Sequence, residues 1–140
     1  TLHLRMRQHQ ESAAAIAELL ASDDRVVTTH YPGLASHPEN ALASRQQNGF
    51  GGIVSAEITG GRAGAAAFLD SLELFSLAES LGGVESLACH PGTMTHASMP
   101  ADVQAAAGIA PGLVRLSVGL EDADDLAADV RRALDAAGRA

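Results

Sequence analysis

The nine residues GLVRLSVGL, 112–120, constrain the fold more than any other stretch. Val114, Leu116 and Val118 alternate with Arg115 and Ser117, the two-residue period of a β-strand. One side of such a strand demands an apolar cover. The other carries an arginine, which a layer of helices would bury at high cost. The sheet built on this strand is therefore expected to be covered on one side only, in a two-layer α+β arrangement.

The rest of the chain supplies the cover. Residues 2–21 read as a helix with Ile16, Leu19 and Leu20 along one side and Ala13 and Ala17 between turns, ended by Ser22-Asp23-Asp24. Residues 122–137 read as another, with Asp122, Asp124 and Asp125 in the first turn and Arg131 and Arg132 late, as the helix dipole favours. Its inner face is Leu126, Val130, Ala133, Leu134 and Ala137. Shorter helices are expected over 36–49, 63–74 and 99–108. RVVTTH, 25–30, is β-branched and reads as a strand before the turn YPGL. Residues 49–61 read as a strand between glycines, with Val54, Ala56 and Ile58 on one side and Ile53, Ser55 and Glu57 on the other. FSLAE and VESLAC are short strands flanking Leu81-Gly82-Gly83. The expectation is a single domain with helices packed on one side of a small, mostly antiparallel sheet. Apolar residues make up 46% of the chain but aromatics only 3%, so the core must be aliphatic and closely packed.

Composition excludes several functions. A formal net charge of -8 disfavours a binder of nucleic-acid backbones. No apolar run approaches the roughly 20 residues that span a bilayer, and no signal-peptide pattern opens the chain. Cys89 is the single cysteine, which precludes an internal disulfide framework and suits a reducing cytoplasm. All nine basic residues are arginine, so chemistry that runs through a lysine Schiff base cannot be completed by this chain alone. The first residue is Thr1 and not Met, which reads as a processed or cut product.

The motifs with chemical potential converge on SLGGVESLACHPGTMTHASM, 80–99. Cys89, His90 and His96 lie close together, but they lack the second ligand pair of a structural zinc site, and no metal is expected. Cys89 and His90 are adjacent on a strand and point to opposite faces, so they are poorly placed to share a proton. Cys89 is read as a buried small hydrophobe. GFGG, TGG and SLGG lack the lysine of a P-loop and the G-x-G-x-x-G spacing, and are read as tight turns. Arg115, in an apolar strand, calls for a carboxylate: either a ligand's, held by its planar fork, or that of one of the seventeen acidic residues in an internal ion pair.

The blocks YPGLASHPENALASRQQNGFGG (31–52), SLGGVESLACHPGTMTHASM (80–99) and GLVRLSVGLEDADDLAADVRRAL (112–134) resemble the C-terminal domain of the pyridoxal-phosphate-dependent enzymes of cysteine and methionine metabolism, the transsulfuration group. The resemblance runs over essentially the whole chain. It implies the small domain of a fold-type I enzyme whose larger N-terminal domain, absent from these residues, binds pyridoxal phosphate. It also implies a cytoplasmic homotetramer that acts on a small sulfur amino acid, with no nucleic-acid or membrane partner. The reaction implied is γ-elimination of methionine or cystathionine, with a γ-replacing synthase or a non-catalytic amino-acid-binding module as alternatives. By motif, Arg115 matches the arginine that clamps the substrate α-carboxylate, Ser80 the serine beside it, and Leu81 a neighbour that lends backbone contacts. Glu85 matches a position facing the distal end of the substrate, although it also reads as a solvent-facing residue. Thr95 and His96 match a loop that shapes the site. No residue of this chain is expected to be catalytic in the strict sense.

Overall fold

The computed structural model describes residues 1–139. Its elements are helix α1 (Leu2–Ala21), strand β1 (Val26–His30), α2 (Asn40–Gln46), β2 (Ile53–Ile58), α3 (Gly61–Asp70), β3 (Ser76–Leu77), β4 (Leu87–Cys89), a 3₁₀ turn (Pro91–Thr93), α4 (Ala101–Ala106), β5 (Leu113–Ser117) and α5 (Ala123–Ala137). The strands form one sheet in the order β1-β2-β5-β4-β3. All pairs are antiparallel except β3 with β4. The expected α+β class and the mostly antiparallel sheet are both present.

Strand β5 is central. Val114 and Leu116 are fully buried, as are Val54 and Ala56 of the neighbouring β2. They meet Ala13, Ile16, Ala17 and Leu20 of α1, Ala65 and Phe68 of α3, and Leu126, Val130 and Leu134 of α5. Helices α1 and α3 contact the strands, and α5 packs against both helices. The core is aliphatic, as the composition requires; Phe68 and Tyr31 are its largest fully buried side chains. Each full burial of a Leu or Val side chain contributes roughly 1.5–3 kcal/mol. The opposite sheet face, carrying Ile53, Ser55, Glu57, Leu113 and Arg115, is half-buried. Among the described residues, no helix is long and apolar enough to cross a membrane.

The boundaries move where loops hold themselves together without a periodic pattern. The helix expected over 36–49 forms only at Asn40–Gln46. Ahead of it, Leu34 donates to the Tyr31 carbonyl and His37 to that of Leu34, closing successive turns, and Asn40 Nδ2 donates to the Pro32 carbonyl at 2.8 Å. The two short strands shrink to two and three residues and run parallel.

The acidic start of α5 is a working cap. Asp122 Oδ1 accepts from the backbone N–H groups of Asp124 at 2.9 Å and Asp125 at 3.3 Å. Asp122→Ala is expected to lower stability by about 1 kcal/mol, read as a shift of the urea midpoint with no change in slope.

Candidate functional site

Arg115 stands at the centre of the half-buried sheet face. Its direct neighbours across the sheet are Ser55 on β2 and Cys89 on β4, whose side chains share its face because directly paired residues point the same way. The guanidinium is braced from behind by main chain. Its Nη2 donates to the carbonyl oxygens of Glu79 at 2.8 Å and Ser80 at 3.1 Å. Its Nε is shielded from solvent and has no hydrogen-bond partner.

Among the described residues, no carboxylate forms an ion pair with Arg115. Of the two readings the sequence left open, the internal ion pair is therefore not made among the described residues. What remains is a cation held in place by neutral carbonyls, with a buried donor unsatisfied. An unsatisfied buried donor costs about 1–3 kcal/mol, and a planar acceptor such as a carboxylate would remove that cost by taking two parallel N–H bonds.

The loop that braces Arg115 is itself built onto β5. Gly82 N–H donates to Ser117 Oγ at 2.9 Å. Ser117 points to the same side as Arg115, as the alternation requires, yet it is only 1% exposed because this loop lies across it. Gly82 sits at φ +74°, a left-handed conformation that favours glycine. Ser80 and Leu81 are exposed. The structure therefore brings Arg115, Ser80 and Leu81 into one corner of the sheet.

The other residues singled out in the sequence lie apart from that contact set. Glu85 is exposed, and its carboxylate curls back over Gly83. Thr95 is exposed and its Oγ1 lies 2.8 Å from His96 Nδ1. Among the described residues, neither Glu85 nor Thr95 hydrogen-bonds to Arg115 or Ser80. The Thr95 loop is shaped instead by Gln104, whose Nε2 reaches the carbonyls of Gly92, His96 and Met99 at 3.0–3.2 Å. His90 is a structural residue: its ring nitrogens lie 2.8 Å from Thr93 Oγ1 and 2.9 Å from the Pro111 carbonyl, and it is 8% exposed.

Glu79 is the residue the sequence reading missed. Its carbonyl braces Arg115, and its carboxylate is close enough to act on Cys89. Burial pushes the Cys89 thiol above its ordinary range; the Arg115 guanidinium pulls it back down and the Glu79 carboxylate adds to the rise. Cys89 has no exposed surface. A neutral, buried thiol is a poor nucleophile, so Cys89 is expected to resist a thiol-specific disulfide reagent at pH 7 and to react once the chain is unfolded in urea. Rapid labelling of the native protein would contradict this burial.

The chain is similar to enzymes that handle sulfur amino acids. Residues 1–135 match the family described as "Cys/Met metabolism PLP-dependent enzyme". The chain is 50% identical over 135 residues to cystathionine gamma-lyase of Dictyostelium discoideum, covering 96% of this chain and 35% of that protein. It is 52% identical over 136 residues to L-methionine gamma-lyase of Pseudomonas putida, covering 97% and 34%. A crystal structure of cystathionine gamma synthase from Xanthomonas oryzae pv. oryzae, in complex with aminoacrylate and cysteine, superposes with a TM-score of 0.93 at 55% identity, covering 98% of this chain and 35% of that one. The chain thus spans about a third of the length of the proteins it matches. With the fold and the sequence in agreement over nearly all of its residues, the chain belongs to the pyridoxal-phosphate-dependent enzyme family of cysteine and methionine metabolism.

Proposed function

We propose that these residues are the small, substrate-carboxylate-binding domain of a carbon–sulfur lyase that eliminates the γ-substituent of methionine or cystathionine. The observation that carries this reading is Arg115: half-buried, held by the Glu79 and Ser80 carbonyls, unpaired with any described carboxylate, and keeping an unsatisfied Nε. In this role Arg115 takes both oxygens of the amino-acid carboxylate. Ser80 and Leu81 line the same corner, and Glu85 and Thr95 border the substrate further out. Fixing the carboxylate fixes the direction of the Cα–H bond, which is the domain's contribution to the chemistry.

The family's cofactor does not fit the residues of this chain. With no lysine, it offers no amine to hold the aldehyde. In this reading pyridoxal phosphate is bound by an N-terminal domain outside these residues, within a cytoplasmic homotetramer.

A γ-replacing synthase is the second reading, supported by the 55% identity to cystathionine gamma synthase. Supplying the complete protein with L-methionine or L-cystathionine separates the two. Release of a thiol, ammonia and a 2-oxo acid without a second substrate marks elimination; dependence on a thiol co-substrate marks replacement. No turnover, together with methionine binding in the calorimeter, would leave a non-catalytic amino-acid-binding module. No turnover and no binding would overturn the proposal.

A further inference from the structure

The loop that carries Ser80, Leu81 and Glu85 is fastened at its far end by a buried cluster that takes no part in the carboxylate site. Ser86 has no exposed surface. Its N–H donates to Glu121 Oε1 at 2.8 Å and its hydroxyl to Glu121 Oε2 at 2.8 Å, while its Oγ accepts the Gly119 N–H at 2.8 Å. Leu120 N–H donates to the Val84 carbonyl at 2.8 Å. Both oxygens of one carboxylate are thus spent on one serine, and that serine is clamped to the chain that leaves β5.

We infer that Glu121, acting through Ser86, is a positioning residue that sets the loop at 79–86 against β5 and thereby holds the Glu79 and Ser80 carbonyls on Arg115. The loop has few other ties to the domain. Among the described residues, its hydrogen bonds run to Arg115, Ser117, Gly119, Leu120 and Glu121, all within seven residues of one another on β5 and its exit, apart from the bond that the Ser76 N–H donates to the Ser86 carbonyl. Gly119 completes the clamp. A Cβ there would meet the Val84 carbonyl at 2.5 Å and the Ser86 nitrogen at 2.6 Å. Both are main-chain atoms, so the loop itself would have to move.

This inference builds on the carboxylate reading of Arg115, and its test separates the two. Two variants are compared with Arg115→Ala in the complete protein. Glu121→Ala removes the anchor, and Gly119→Ala sets a methyl group against Glu121 Oε2 as well as the Val84 and Ser86 main chain, so that the loop is pushed outward. Hydrogen exchange on the peptide 78–90 is expected to speed up in both variants, with the β5 amides unchanged. KM for the amino-acid substrate is expected to rise about tenfold, as for the loss of one hydrogen bond to a charged group, with kcat near its starting value. Glu121→Gln, which keeps an acceptor for the Ser86 N–H, is expected to recover most of the affinity. Unchanged exchange over 78–86 in Gly119→Ala overturns the positioning role, as does unchanged KM in both variants when Arg115→Ala raises it. If Arg115→Ala also leaves KM unchanged, the carboxylate reading is what fails; the exchange result then decides the loop-setting role by itself.

Discussion

Arg115→Ala in the complete protein is expected to raise KM for the α-amino-acid substrate by roughly 10–150-fold, the equivalent of ~1.5–3 kcal/mol for hydrogen bonds to a charged group. The effect belongs in KM because a carboxylate is fully charged before, during and after the reaction, so its clamp is felt about equally in the ground state and the transition state. Some loss of kcat follows only in so far as a loosely held substrate presents its Cα–H bond at the wrong angle. Arg115→Lys is the sharper variant. It keeps the charge but gives up the fork, and a single ammonium cannot hold the Glu79 and Ser80 carbonyls and also present two parallel donors to a ligand. Its KM is expected to lie well above the starting value and below that of the alanine variant. Neither change should unfold the protein, because Arg115 is half-buried and among the described residues bonds only to two main-chain oxygens. Steady-state kinetics alongside urea melts would check both halves of this expectation. An alanine variant with unchanged KM would remove Arg115 from the substrate site.

What the sequence made legible was whatever repeats along the chain. The alternation in β5 and β2 predicts which residues face the core, and Val54, Ala56, Val114 and Leu116 are buried there. The apolar stripes of α1 and α5 and the aspartates near the start of α5 predict those helices, although Asp122 caps α5 from just outside its first turn. The Arg115 and SLGG motifs, far apart in sequence, meet at one corner of the sheet. What escaped was every tie between residues distant in sequence. Ser117 reads as an outward-facing strand residue, and only the fold shows the Gly82 loop lying over it. Glu79 stands one position before SLGG and carries no signal of its own in the sequence, because a carbonyl that braces an arginine has no side-chain signature. Gln104, Glu121 and Asp129 each hold a loop through main-chain N–H or C=O groups, and such contacts follow no period that a single sequence can display. The parallel pairing of β3 with β4 is invisible for the same reason, since two- and three-residue strands carry too little pattern to declare a direction.

Asp129 shows how much of the site's scaffold rests on one such tie. It lies on the inner face of α5, 1% exposed. Its Oδ1 accepts the Glu73 N–H at 2.9 Å, and its Oδ2 accepts those of Leu74 at 2.9 Å and Phe75 at 3.2 Å. Arg132, one turn on, pairs with the same carboxylate. Asp129→Ala would leave three N–H donors without their partner. Glu73 and Leu74 are exposed and their amides can recover water, but Phe75 is 3% exposed and its amide cannot. At about 1–3 kcal/mol for each donor left buried, and less for those that rehydrate, the expected destabilisation is about 2–4 kcal/mol. The urea midpoint should fall with little change in slope, since the surface exposed on unfolding is nearly the same. Arg132→Ala separates the ion pair from the amide bonds. Its side chain is 45% exposed, so its pairing contributes about 0–1 kcal/mol. Should the two variants prove equally destabilising, the ion pair and not the amide cradle would be the main tie. Should Asp129→Ala alone be severe, the segment 73–75 is held chiefly by this carboxylate. That segment leads straight into β3, which pairs with β4 beside Cys89 and Arg115, so a partial loosening there is also expected to weaken substrate binding before the domain unfolds.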